Sequence, residues 1–303
     1  MEDNYNSELS SWQVWILAVR PKTLPAAAAP VLVGSAVAFV DGAFQFGPAL
    51  AALIAALLLQ IGANLANDLF DFQRGADSVN RLGPVRVTQT GLLSPNQVRK
   101  GMWLVFGLAV LLGVYLTYVA GWPVVVIGLT AVLAALAYTG GPFPFGYYGF
   151  GDLFVFIFFG VIAVCGTYYV QSRACSNLAF LSSLPMGFLI TAILVVNNLR
   201  DIDSDRQVEK ITLAVRLGAD GTRYEYLFCM IGAYFVPLII WNSFSPLLML
   251  TWLSLPLAYS LIRFVWNHVG RPLNQALAGT GRLTLIYAAL YSLGLILPAI
   301  ISR

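Results

Sequence analysis

The sequence predicts an all-α integral membrane protein: one bundle of about nine transmembrane helices, with its N-terminus in the cytoplasm and its C-terminus outside. Three observations carry that expectation. Of 303 residues, 17 are Lys or Arg and 14 are Asp or Glu, 10% in all, against roughly a quarter in an ordinary soluble domain. Hydrophobic residues make up 59% of the chain and the mean hydropathy is +0.78. A bilayer core of about 30 Å takes about 20 apolar residues per helix, and stretches of that kind recur along the whole length. The net charge of +3 is too small to suggest a nucleic-acid partner.

In chain order, residues 1–22 begin polar and acidic, with Glu2, Asp3 and Glu8, then run Ser11-Trp12-Gln13-Val14-Trp15-Ile16-Leu17 into Arg20-Pro21-Lys22. This reads as an interfacial helix with tryptophans at headgroup depth, ahead of a single transmembrane domain over 23–303. A cleaved signal peptide is not expected, because no basic segment precedes a short apolar core and the first span carries Pro25 and Pro30. Hydropathy places the spans near 23–40, 47–69, 102–119, 123–139, 152–171, 178–199, 226–241, 246–265 and 283–301.

Alternating these spans from a cytoplasmic N-terminus puts fifteen of the seventeen basic residues on the inside, leaving only Arg173 and Arg303 outside. Such an excess of cytoplasmic Lys and Arg sets orientation. Cys165 and Cys229 fall in spans and Cys175 in a short outer loop, which is no disulfide framework. One histidine, His268, cannot build a zinc site and is read as a loop residue.

The acids are not scattered. Beyond the N-terminal three and Asp41, they gather after the second span (Asp68, Asp71, Asp77) and after the sixth (Asp201, Asp203, Asp205, Glu209, Asp220, Glu225), with Asp152 alone at the start of the fifth. Asn64, Asp68 and Asp71 stand at i, i+4, i+7, and Asn197, Asp201 and Asp205 at i, i+4, i+8, so each set shares one helical face. Asn64 and Asn197, like Asp68 and Asp201, are 133 positions apart, and each cluster precedes a basic loop. Two halves of like orientation would each deliver an Asn/Asp face to one mouth of the bundle.

A charge at a helix centre costs about 2.5–3.5 kcal/mol on insertion scales, and like charges on one face repel besides. A divalent cation removes that objection. Carboxylate and amide oxygens are hard ligands suited to Mg²⁺, commonly held by one or two carboxylates plus substrate phosphates. Two acidic faces beside Arg- and Lys-bearing loops therefore suit a Mg²⁺-bound diphosphate. The bland alternative is a pair of solvated helix ends whose acids pair with Arg74, Arg200 and Arg206.

At these residues the chain resembles the UbiA superfamily of intramembrane aromatic prenyltransferases, and within it the branch that acts on 1,4-dihydroxy-2-naphthoate. The resemblance rests on Arg20-Pro-Lys-Thr-Leu-Pro25, on the first cluster continuing as Gly75-Ala-Asp77 and Arg81-Leu-Gly-Pro-Val-Arg86, and on Tyr138-Thr-Gly-Gly-Pro142. Gly149-Phe-Gly-Asp152 and the stretch from Asn197 through Lys210 to Gly218 extend it. It covers residues 12 to about 220, the last third being matched mainly by hydropathy. Where the ubiquinone branch places a third aspartate this chain has Gly75, with Asp77 two residues on, which argues against 4-hydroxybenzoate as acceptor.

The resemblance implies polyprenyl transfer from a polyprenyl diphosphate to 1,4-dihydroxy-2-naphthoate, with loss of CO₂ and diphosphate, in a bacterial cytoplasmic membrane and with the site facing the cytoplasm. Mg²⁺ would be held by Asn64, Asp68, Asp71, Asp201 and Asp205. Arg74, Arg81, Arg86, Lys210 and Arg216 are candidates to grip the phosphates, with Asn197 beside them. Tyr138 is a candidate for the pocket wall, and Arg20 or Lys22 for the acceptor carboxylate, unless these two are snorkelling anchors. The uncharged connection 140–151 is expected to fold over the mouth as an ordered loop. Competing readings are a relative that uses 4-hydroxybenzoate or homogentisate, and a secondary transporter, which would place its coupling acids near mid-bilayer.

Overall fold

The computed structural model describes residues 9–75 and 82–301. Asp77 and Arg81, the first eight residues and Arg303 lie outside the described residues. All regular structure among the described residues is helical. The elements are α1 (Ser11–Val19), α2 (Pro25–Val40), α3 (Phe46–Gln73), α4 (Pro95–Ala120), α5 (Pro123–Ala137), α6 (Gly151–Val155), α7 (Ala163–Ser172), α8 (Asn177–Arg200), α9 (Ile202–Gln207), α10 (Leu213–Ile240), α11 (Leu255–Asn267) and α12 (Leu273–Ile301). A π-helical segment, Phe156–Ile162, joins α6 to α7, and a 3₁₀ stretch, Pro246–Ser254, leads into α11.

Local chemistry sets the boundaries. Ser10 and Ser94 each close a capping box with the glutamine three residues on, Gln13 and Gln97, and Ser176 and Thr212 accept from the amides of Ala179 and Val215. Pro25, Pro95 and Pro123 open their helices, where a missing N–H costs nothing.

Each of the nine apolar stretches is helical, but the spans are not uniform. Among the described residues seven helices are long and apolar enough to cross a membrane, and eight if the pair Ser11–Thr23 and Pro25–Val40, bent by 52°, counts as one. The bend falls at Leu24, between the 3₁₀ turn Pro21–Thr23 and Pro25, four residues after Arg20 takes a left-handed conformation (φ 55°). The stretch 123–139 forms the 15-residue α5, shorter than a straight crossing requires. The stretch 226–241 belongs to a longer helix that starts at Leu213 and breaks at Gly218 (φ 71°, ψ 179°).

α8 is the centre of the bundle: 72% of its apolar window is buried, against 22% for α4. It packs on α10, α12, α2 and the π segment, and their side chains form the main core. A second core joins α1, α3 and α4; Trp15 packs against it, while Trp12 is 73% exposed. Large apolar side chains such as Leu111, Val114 and Tyr118 on α4 and Phe228 and Ile231 on α10 face outward, as lipid-facing surface does. α3 is about 42 Å long at 1.5 Å per residue, so its last turns, with Asn64, Asp68 and Asp71, reach the edge of a hydrocarbon core of about 30 Å.

The π segment lies against α8 at backbone contact. A methyl placed on Gly160 would sit 2.5 Å from the Cα and 2.8 Å from the N of Gly187, neither of which can turn aside. Small residues permit such approach between membrane helices. Gly160→Ala is therefore expected to cost about 1–3 kcal/mol, read as a lowered melting temperature in detergent. Gly128→Ala, with open space at its Cβ, serves as the control and should leave it unchanged.

Candidate active site

The first cluster forms as the spacing requires: Asn64, Asp68 and Asp71 lie on one face of α3 and all are buried. The second differs from a single helical face. α8 stops at Arg200, Asp201 occupies the junction (φ −100°, ψ 7°), and Asp205 sits on the separate α9. The Asp205 backbone N–H donates a hydrogen bond to the Asp201 carbonyl (2.8 Å), and both side chains line the same cavity.

Both clusters face one cavity of about 640 Å³. Its mouth carries Asp71, Asp201 and Asp205 together with Asn64, Asn197, Arg20, Arg86 and Lys210. Asp71 receives Arg86 Nη2 at 2.6 Å and the Tyr147 hydroxyl at 2.8 Å. Lys210 bonds Asp205 Oδ1 at 3.2 Å and lies 5.6 Å from the centre of the Tyr147 ring. Tyr147 thus links the two acidic walls. Asp201 sits in a two-pronged grip from Arg200, Nε to Oδ1 at 2.8 Å and Nη2 to Oδ2 at 2.5 Å, the geometry that fixes a carboxylate in orientation as well as charge.

Burial raises the Asp205 carboxyl above its ordinary range, opposed by Lys210 and reinforced by the Asp201 and Asp71 charges. Its Oδ2 is buried and has no hydrogen-bond partner among the described residues. A buried carboxylate oxygen left in this way costs free energy until a donor or cation meets it.

Other predicted residues have different tasks. Asp68 does not line the cavity: it accepts the backbone amides of Val87 (3.2 Å) and Thr88 (3.1 Å), with Arg20 Nη2 at 3.7 Å. It holds down the loop that carries Arg86. Asn64 donates to the Val19 carbonyl and to Thr23, both at 2.9 Å, tying the bend after α1 to α3. Arg74 and Arg216 are turned away from the cavity toward the 140–151 connection, Arg74 to the carbonyls of Thr139 (3.0 Å) and Gly141, Arg216 to that of Tyr148 (2.9 Å). Lys22 is exposed and outside the cavity lining. Asn197 accepts from Arg200 at 2.9 Å.

The 140–151 connection is ordered over the mouth. Phe145–Tyr147 forms a 3₁₀ turn, the Tyr147 carbonyl accepts the Ile211 amide (2.9 Å), and the Tyr138 carbonyl accepts that of Gly146 (3.0 Å). Tyr147 is not among the residues that the sequence singles out. The available signal was a tyrosine pair in a charge-free loop between two charged clusters.

Beyond the mouth the cavity has two unlike walls. Tyr138, Phe145, Phe154 and Phe158 form a ladder on one side, with ring centres 5.4, 4.0 and 6.1 Å apart in succession. The other side is small and aliphatic, with Ala52, Ala55 and Ala56 of α3, Gly113 of α4 and Gly128 and Ala131 of α5. From Asp71 to Ala52 along α3 is about 28 Å.

Among the described residues no three His, Cys, Asp or Glu side chains form a ready-made metal cluster. The donor set still fits Mg²⁺, which keeps several waters and takes one or two carboxylates plus substrate phosphates. Asp71, Asp201 and Asp205, hard oxygens on opposite walls, leave the space between them to an anion that brings its own.

The sequence profile of the UbiA prenyltransferase family matches residues 27–286. The 1,4-dihydroxy-2-naphthoate octaprenyltransferase of Escherichia coli is 38% identical over 271 residues, 86% of this chain and 88% of that protein. The protein of the same name from Mycobacterium tuberculosis is 37% identical, over 92% and 96%. A UbiA homolog from Archaeoglobus fulgidus, solved bound to DMAPP and Mg²⁺, superposes with a TM-score of 0.66 at 14% identity, covering 93% of this chain and 98% of that one.

Asp68 gives the sharpest test of these assignments. Asp68→Ala removes the acceptor from the Val87 and Thr88 amides, and hydrogen exchange at those two positions is expected to accelerate by at least about tenfold, since a bond to a charged acceptor is worth about 1.5–3 kcal/mol. Asp201→Ala should leave exchange at 87 and 88 unchanged.

Proposed function

The chain belongs to the UbiA prenyltransferase family, and from that premise we propose that it transfers a polyprenyl group from a polyprenyl diphosphate to 1,4-dihydroxy-2-naphthoate, releasing diphosphate and CO₂, with Mg²⁺ as cofactor. One observation carries the reading: two acidic walls meet over a cavity that turns at once from charged to dry and apolar. A transporter has no use for acids gathered at one mouth over a long apolar pocket. The naphthoate enzymes of E. coli and M. tuberculosis match over nearly their whole length, which favours that acceptor over 4-hydroxybenzoate or homogentisate.

Asp71, Asp201 and Asp205 would hold the metal, with Asn64 and Asp68 building the wall behind Asp71. Mg²⁺, when bound, stabilises negative charge growing on a departing diphosphate by several kcal/mol. Arg86 and Lys210, both facing the cavity, add preorganised positive charge at the same place. Arg20, which also lines the cavity, would meet the acceptor carboxylate, and Arg74 and Arg216 would hold the 140–151 loop over the mouth. The tail lies along the small aliphatic wall and the planar acceptor along the aromatic ladder, whose rings also favour an allylic cation and exclude water. Loss of CO₂ rearomatises the acceptor, so no separate base is required.

The chain crosses the bacterial cytoplasmic membrane nine times, counting α2 and the short α5, with residues 1–22 at the interface and 23–303 as one domain. The acidic mouth faces the cytoplasm and the C-terminus the outside, supported by the fifteen basic residues that fall on one side.

The test uses purified protein in detergent with Mg²⁺, a labelled polyprenyl diphosphate, and carboxyl-labelled 1,4-dihydroxy-2-naphthoate or 4-hydroxybenzoate in parallel. Lipid product and CO₂ are expected from the naphthoate alone, abolished by EDTA and lowered about 10²–10³-fold by Asp71→Asn or Asp201→Asn. Prenylation of 4-hydroxybenzoate without CO₂ release would overturn the acceptor. No product from either with folded protein would overturn prenyl transfer.

A further inference from the structure

Asn274, in the first turn of α12, belongs to neither acidic cluster, yet its side chain touches the supports of both. Its Oδ1 accepts from Arg200 Nη1 at 2.7 Å, across 74 residues of sequence. Its Nδ2 donates to the Leu82 carbonyl at 2.9 Å, across 192. Arg200 is the guanidinium that grips Asp201 with Nε and Nη2, and it also bonds Asn197. That side chain is fully buried, so the direction of its fork is set by these partners, and Asn274 holds the prong that Asp201 leaves over.

Leu82 begins the stretch that presents Arg86 to Asp71 and the Val87 and Thr88 amides to Asp68. The turn before α12 lies beside the same place: a methyl placed on Gly270 (φ 68°) would sit 3.7 Å from Leu82 Cδ1. A carboxamide suits this position because it presents an acceptor and a donor in one rigid plane. No charged side chain does both.

We infer that Asn274 is a positioning residue: it fixes the Arg200–Asp201 pair of the second cluster against the 82–88 loop of the first, so that the two acidic walls stand at a set separation. The inference rests on the prenyl-transfer reading only for what the mouth binds. Groups that orient ligands in this way change metal affinity by about 10–100-fold when removed, a readout that loss of packing alone does not move selectively.

The experiment compares full-length wild type, Asn274→Ala and Asn274→Asp in detergent by two measurements that need no turnover. One is hydrogen exchange at 82–88, with 189–196 of α8 as internal control. The other is the Mg²⁺ concentration that half-saturates the thermal shift given by inorganic diphosphate. Asn274→Ala is expected to speed exchange at 82–88 about tenfold, leave 189–196 unchanged, and raise the half-saturating Mg²⁺ about 10–100-fold. Asn274→Asp keeps the acceptor for Arg200 and loses the donor to Leu82. It should therefore exchange like the alanine variant at 82–88 and raise the half-saturating Mg²⁺ in the same direction, because the clasp between the two walls is broken at its Leu82 end.

Unchanged exchange and unchanged Mg²⁺ dependence in Asn274→Ala would overturn the inference. So would equal acceleration at 82–88 and 189–196, which marks general loosening. A wild type that binds Mg²⁺ and diphosphate but prenylates nothing would overturn the proposed reaction and leave this inference standing on both measurements. A wild type with no diphosphate shift would remove the Mg²⁺–diphosphate assignment, and exchange at 82–88 would then decide the clasp alone.

Discussion

A carboxylate cannot stand alone at the edge of a dry membrane bundle, and the acidic mouth is built around that constraint. Removing one partner from a buried ion pair costs about 3–5 kcal/mol. Asp68 is met by two backbone amides, Asp71 by Arg86 and Tyr147, Asp201 by Arg200, and Asp205 by Lys210. Apart from Arg200, which ends the central helix α8, these partners come from the connections between helices. The loops between the spans are therefore fixed by the acids they neutralise, and the site and its closure form in one event.

The same constraint explains why the cavity changes character so abruptly. Inward from the mouth no further acid among the described residues meets the bore. Asp152, buried on α6 behind the aromatic wall, is absent from the lining. What replaces charge is shape: a small-residue wall from α3, α4 and α5, and an aromatic wall from the 140–151 loop, α6 and the π segment. The π segment supplies Phe158, Phe159 and Ile162 to the cavity lining while Gly160 meets Gly187 of α8, so rings reach the bore without pushing the central helix away.

Much of this was legible in the sequence, because a chain with so few charges leaves each one conspicuous. The helical stretches, both clusters and an ordered, charge-free loop over the mouth follow from hydropathy, spacing and composition. What was not legible is how long polar side chains choose among partners. Arg74 and Arg216 look like phosphate ligands by position, yet a guanidinium beside a loop with unpaired carbonyls satisfies those first. Asp201 ends a helix rather than continuing one, because Arg200 folds back to grip it and the helix is spent at that residue. Asn274 gave no local sign, since its partners lie 74 and 192 residues away.

The offset of 133 between the clusters shows where a repeat stops being informative. By spacing alone it predicts that Asp68 and Asp201 are equivalent positions in two related halves. Yet Asp68 spends its oxygens on the amides of Val87 and Thr88 and turns away from the cavity, while Asp201 is held from behind by a cation and keeps its front toward the cavity. A carboxylate that accepts backbone amides is a fastening, and one that is oriented by an arginine remains able to share a lone pair with a second cation. The difference arises from what stands beside each acid, Arg200 one residue before Asp201 and no basic neighbour beside Asp68 on α3. Repetition fixes depth and face in such a bundle, and the neighbouring residue decides whether the position binds or builds.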